Sequence, residues 1–124
     1  QKLELSYNRR LSDISALQYL HESLKYLEID TCGKIQDFSV LHNLHNLEFL
    51  ILKGSNTLQN LSFIKNMPKL RYLHLTMNVA DGDLSVCLSL SYAKIKNRKH
   101  YTHKDSELPK FYFENQIVNP FEEE

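Results

Sequence analysis

The sequence has only three glycines, and no stretch of it resembles the glycine-rich loop that cradles phosphate groups. It has two cysteines, Cys32 and Cys87, too few and too far apart for a disulfide framework. Both thiols read as small hydrophobes of a reduced compartment, which points to the cytoplasm. Charge of one sign is also lacking: fifteen basic residues stand against fifteen acidic ones. Global charge therefore selects neither nucleic acid nor an anionic membrane. No apolar run approaches the length of a membrane span, and the first residues lack a signal-peptide core. Because Gln1 stands where an initiator methionine would and the pattern starts in mid-unit, a processed or excised piece is expected.

What is present is a chain of 124 residues, 42% hydrophobic and 24% charged, enough for one folded domain with a modest core. Its dominant feature is internal repetition. Leu24, Leu27, Ile29, Cys32, Ile35, Phe38, Leu41 and Leu44 recur 23 residues later as Leu47, Leu50, Leu52, Ser55, Leu58, Leu61, Ile64 and Met67. After 23 more come Leu70, Leu73, Leu75, Asn78, Asp81, Leu84, Cys87 and Leu90. A shift of 24 in the other direction gives Leu3, Leu5, Asn8, Leu11, Ile14, Leu17 and Leu20.

Each position has a physical reason. The pairs Leu3/Leu5, Leu27/Ile29, Leu50/Leu52 and Leu73/Leu75 have period two, so both side chains of a pair share one face of a short strand. Successive copies stack as a parallel sheet because each unit advances in the same direction. Asn8, Cys32, Ser55 and Asn78 follow the strands, where an inward polar side chain satisfies backbone groups of the turn; a thiol does this poorly. Beyond the turn, apolar residues come every third position, which suits a 3₁₀ or short helical return. Asp13, Asp37, Asn60 and Asp83 stand two residues ahead of Ser15, Ser39, Ser62 and Ser85 and read as helix-starting caps.

The L-x-x-L-x-L-x-x-N/C opening, repeated at this period, resembles the leucine-rich repeat family. The strings at residues 13–17 (D-I-S-A-L) and 37–41 (D-F-S-V-L) are similar to repeats of bacterial internalin-type proteins. The resemblance implies an α/β solenoid: a right-handed coil with a parallel β-sheet on its concave face and short 3₁₀ or α segments on its convex face. It covers four repeats, residues 1–23, 24–46, 47–69 and 70–91, and hints at scaffolds, surface adhesins or neutralising partners of toxins.

The fourth repeat departs from the pattern. Asp81 stands where Leu11, Ile35 and Leu58 stood, which predicts a unit opening to solvent. Residues 92–96 read as a fifth strand. Residues 97–124 lose the repeat, and Pro109, Pro120, Tyr101, Phe111, Tyr112, Phe113 and Phe121 suggest an irregular segment folding back over that end, followed by an acidic tail. At the other end residues 1–5 predict an uncapped edge strand able to pair with a second copy.

If the paired leucines point inward, the residues between them form three columns on the opposite face. The first is Lys2, Tyr26, Phe49, Tyr72 and Tyr92; the second Glu4, Glu28, Ile51, His74 and Lys94; the third Ser6, Asp30, Lys53, Thr76 and Lys96. An exposed stripe of aromatics marks an interaction surface, since tyrosine offers area with a polar tip; the alternative is aromatics that only pack on one another and stiffen the sheet. The charges run from acidic to basic across the columns, a gradient that would orient a partner. The reading is a protein-binding module that engages an unidentified protein through Tyr26, Glu28, Asp30, Phe49, Ile51, Lys53, Tyr72, His74, Tyr92 and Lys94.

Other chemistry is poorly supported. His42-x-x-His45 and His100-x-x-His103 have spacings a metal could use but lack the further ligands of a closed zinc site. Asp81-Gly82-Asp83 lacks the remaining oxygens of a calcium loop. No cysteine or serine has an evident base and orienting partner, so neither an enzyme nor a cofactor is expected. The basic run at residues 94–104 keeps weak nucleic-acid binding as an alternative, and an end segment supporting a larger repeat protein is another.

Overall fold

The computed structural model describes residues 1–111. Five strands, β1 (Lys2–Ser6), β2 (Tyr26–Asp30), β3 (Phe49–Lys53), β5 (Tyr72–Leu75) and β7 (Tyr92–Ile95), form one parallel sheet in chain order. Two short strands, β4 (Thr57–Leu58) and β6 (Asn78–Val79), form a second parallel pair. Each connection within the main sheet carries one 3₁₀ segment: Ser15–Leu20, Ser39–Asn43, Ser62–Asn66 and Ser85–Ser89. The register is the sequence period made physical. Leu3, Leu27, Leu50, Leu73 and Ala93 are Cα partners across the sheet, and so are Leu5, Ile29, Leu52, Leu75 and Ile95.

The inward residues from Leu27 to Leu75 pack with Ile14, Leu17, Leu41, Leu44, Ile64 and Cys87 into one continuous core between the sheet and the 3₁₀ segments. The 3₁₀ starts are fixed as an acidic or amide residue two positions ahead would fix them. Asp13, Asp37, Asn60 and Asp83 each accept the backbone N–H of the serine two residues on, at 2.8 to 2.9 Å. This is the short-range Asx bond; the caps themselves are the apolar Ile14, Phe38, Leu61 and Leu84. The cap position thus lies one residue beyond the expected one, between the Asx residue and the serine whose N–H it binds.

The strands end in a sharp bend at equivalent positions. Tyr7 (φ 50°), Thr31 (φ 58°) and Gly54 (φ 139°) follow β1, β2 and β3, and all three have positive φ. Only Gly54 is a residue that adopts this region without cost, so Thr31 holds backbone strain that its neighbours impose. The inward polar position after β3 is occupied by Asn56, not Ser55. Asn56 is buried and donates Nδ2–H bonds to the Cys32 and Ile35 carbonyls at 3.0 and 2.9 Å, while Ser55 is exposed. Asn56 lies four residues after Leu52 where Cys32 lies three after Ile29, so the inward place is displaced by one residue.

A constant period of 23 also misplaces the core of the fourth unit. Leu58 pairs with Val79, which is fully buried, and not with Asp81. Asp81 lies on the surface, where its carboxylate accepts the Asp83 N–H at 2.9 Å, so no core leucine has been replaced by a charge and this end does not open to solvent. Residues 97–110 fold back over it. Tyr101 Oη accepts the Val79 N–H at 3.0 Å, Thr102 Oγ1 accepts the Leu84 N–H at 3.0 Å, and Leu108 is buried against the core. Gly82 (φ 68°) is required beneath this cover, since a Cβ there would lie 2.4 Å from the His100 carbonyl oxygen. The expected acidic tail and the aromatics Tyr112, Phe113 and Phe121 lie outside the described residues.

Candidate functional site

The strand residues that do not enter the core share the opposite, outer face of the sheet. Two predicted columns exist in full register, from Lys2 through Tyr26, Phe49 and Tyr72 to Tyr92, and from Glu4 through Glu28, Ile51 and His74 to Lys94. The third is in register from Ser6 through Asp30 to Lys53, with Thr76 and Lys96 just past the ends of β5 and β7. Partners on neighbouring strands are about 4.8 Å apart, so the columns are set by backbone hydrogen bonding.

The aromatic column corrects one expectation. Tyr26 is 0% exposed, Phe49 1% and Ile51 3%, and with Tyr72 they form a second apolar cluster, separate from the main core. The rings lie 6.1, 5.6 and 4.9 Å apart in succession, the last pair, Tyr72 and Tyr92, stacked at 8°. Cations sit over them: Lys2 Nζ is 4.9 Å from the Tyr26 ring, Arg71 Cζ 4.8 Å from Phe49 and Lys110 Nζ 5.0 Å from Tyr92. Such contacts add attraction to the ring faces and remove water from them. Tyr26 Oη also donates to Glu28 Oε1 at 2.9 Å. Tyr26, Phe49 and Ile51 are therefore structural, and only Tyr72 and Tyr92 keep partial exposure.

The polar columns remain reachable. Glu28, Asp30, Lys53 and His74 are half-buried and Lys94 and Lys96 are exposed. Glu4 pairs with Lys2 at 3.5 Å and Arg71 with Glu48 at 3.7 Å. Among the described residues, Lys53, Lys94, Lys96 and Arg98 make no ion pair. Burial first, and then the fields of Lys53 and Lys94, push the His74 imidazole down to about 4, with Asp105 acting in the opposite sense. At neutral pH His74 is thus an uncharged group among cations. Burial raises the Asp105 carboxyl, but the Lys110 ammonium at 2.8 Å and the Ile95 N–H outweigh it and hold the group below the usual carboxylate range.

The basic run at 94–104 is divided in use. Arg98 Nη2 donates to the Thr76 carbonyl at 2.9 Å, His100 Nε2 lies 2.8 Å from the Val79 carbonyl, and Tyr101 bonds the chain beneath it. These residues close the end of the core, while the ammonium groups of Lys94, Lys96, Lys99 and Lys104 belong to exposed residues. A shallow groove of about 580 Å³ beyond β3 and β5 is lined by Gly54, Ser55, Thr57, Asn78, Lys96 and Arg98.

The remaining candidates are dispersed. Among the described residues no group of three His, Cys, Asp or Glu side chains could hold a metal ion. His42 Nδ1 lies 3.2 Å from Asn66 Nδ2 and His45 Nδ1 3.2 Å from the Asn66 carbonyl, so both imidazoles engage the neighbouring unit. Burial pushes the Cys87 thiol up to about 12, far from the range of a reactive thiolate. No helix among the described residues is long and apolar enough to cross a membrane. No protein-family model, curated protein or solved structure matches the chain.

Proposed function

We propose that this chain is a short leucine-rich repeat solenoid whose outer, concave sheet face binds a protein partner. The observation that carries the reading is the in-register ladder of five parallel strands, whose outer face sets a packed aromatic floor beside two columns of charged and polar side chains. A rigid, preorganised face loses little conformational freedom on binding, which favours recognition of another folded or extended chain. Tyr72 and Tyr92 supply apolar area at one side, and Glu28, Asp30, Lys53, His74 and Lys94 supply orientation. Tyr26, Phe49 and Ile51 serve as the floor on which these groups stand.

The test uses charge reversals in the polar columns, one of which, at Glu28, also removes the acceptor of the Tyr26 hydroxyl, so circular dichroism accompanies it. Proteins captured by the wild type and identified individually are expected to be lost with Glu28→Lys plus Lys94→Glu. They should be retained with Lys65→Glu, a change on the 3₁₀ side. Equal capture by both variants, with unchanged circular dichroism, would overturn the assignment of this face.

A further inference from the structure

The charge of the outer face is not evenly spread. Across β3, β5 and β7 the second and third columns end in Lys53, Lys94 and Lys96, with the neutral His74 and Thr76 between them. Lys53 and Lys96 flank Thr76 at two strand spacings, roughly 10 Å. Thr76 is fixed there: its N–H bonds the Leu52 carbonyl and its Oγ1 accepts the Gly54 N–H at 3.1 Å. The groove beyond adds Arg98 and the hydroxyl-bearing Ser55 and Thr57. The carboxylates facing this area are already engaged. Asp105 holds Lys110 at 2.8 Å, and Asp30, the register partner of Lys53, accepts the Thr31 hydroxyl at 2.8 Å.

We infer that this end of the face, Lys53, Lys94 and Lys96 with the Arg98 groove, takes an acidic stretch of the protein partner. The inference rests on the protein-binding reading above and adds the chemistry of the segment that is bound. Spacings of roughly 7 Å along β7 and roughly 10 Å across the sheet match carboxylates two or three residues apart on an extended peptide, which advances about 3.3 Å per residue. The Ser55 and Thr57 hydroxyls offer additional donors to carboxylate oxygens in the groove. Nucleic acid fits less well. The basic area spans only three strands and meets the acidic Glu28 and Asp30 directly, whereas a phosphate-tracking surface needs a longer cationic path. Tyr101, which could stack on a base, is tied by its hydroxyl to the Val79 N–H.

The closing experiment uses the full chain and three labelled probes: hexaglutamate, hexaglutamine and a twelve-nucleotide oligothymidylate. Fluorescence anisotropy at low salt is expected to show hexaglutamate binding and no hexaglutamine binding. Lys53→Glu plus Lys96→Glu should weaken hexaglutamate at least tenfold, with Lys65→Glu unchanged. Amide shifts on titration should centre on Lys53, Thr76, Lys94 and Lys96, and the His74 imidazole should titrate at higher pH with peptide bound. Loss of these effects, or equal binding of both peptides, overturns the inference. Tighter oligothymidylate binding that is lost in the same double variant assigns the patch to nucleic acid and overturns it too. If Lys53→Glu plus Lys96→Glu still captures the proteins that Glu28→Lys plus Lys94→Glu loses, the acidic-segment inference fails while the protein-binding reading stands.

Discussion

The two faces of this sheet bury comparable side chains by different means. On the inner face Leu27, Leu50 and Leu73 meet the 3₁₀ segments, and a continuous apolar core removes them from water without directional contacts. On the outer face Tyr26 and Phe49 are buried equally well, but next to tilted rings, cationic groups and a tyrosine–glutamate hydrogen bond. Depth of burial therefore does not tell the core side of this sheet from its solvent side. What separates them is polarity: the inward strand residues are apolar, and the outer side places cations over the Tyr26, Phe49 and Tyr92 rings.

The sharpest way to break this comparison is to truncate neighbours on opposite faces. Phe49→Ala should destabilise by about 3–5 kcal/mol and Leu50→Ala by about 2–5 kcal/mol in urea unfolding, because both leave cavities in packed clusters. A loss under about 1 kcal/mol for Phe49→Ala alone would return that residue to the exposed class.

Between about pH 6.5 and 4 acid should act on the outer face through His74. His74 is held neutral by burial and cations, with its folded value near 4 against 6.5 unfolded. Between those values the unfolded chain binds the extra proton, so stability falls as pH drops from about 6.5 towards 4. The loss amounts to at most about 3 kcal/mol for such a shift, less what solvent screens at a half-buried site. His74→Gln should flatten the slope in that window, measured by urea midpoints. An unchanged slope would remove His74 as its source. On the inner face Cys87, pushed up to about 12, contributes nothing in the same range.

Two smaller effects sharpen the account of the turns. Asn56→Ala should cost about 2 kcal/mol by stranding the buried Cys32 and Ile35 carbonyls, while Ser55→Ala should be near neutral. The reverse order in thermal unfolding would restore Ser55 as the inward residue. Asn60→Ala removes the exposed acceptor of both the Ser62 N–H and the Ser62 hydroxyl and should cost about 1 kcal/mol or less, read as a small shift of the urea midpoint.

The inner face was legible because two periods coincide in sequence: alternation within each strand and recurrence every 23 or 24 residues. Leu27/Ile29 and Leu50/Leu52 need no knowledge of neighbours to be assigned. The outer columns were also placed correctly, since register follows from the same periods. Their burial was not legible. Phe49 is covered by contacts from Arg71, 22 positions away, and by rings on other strands, and no local pattern signals these. The two displaced assignments reflect unequal turn lengths. Asn56 lies four residues after Leu52 where Cys32 lies three after Ile29, and Val79 lies four after Leu75 where Leu58 lies six after Leu52. A fixed spacing therefore gave their inward places to Ser55 and Asp81.

The in-register pairing of the strands gives the outer face the character of a coordinate grid. A residue's column is its place along the strand and its row is its strand, and both are set by backbone bonds that side chains do not alter. The step from Tyr72 to Tyr92 uses 20 residues where earlier steps used 23 or 24, yet Tyr92 lands in the same column. Length changes are absorbed on the far side, and the address of each outward side chain is conserved. Exchanging one of the half-buried or exposed polar residues, such as Lys53 or Lys94, then rewrites one square of the surface while the leucine ladder stays fixed.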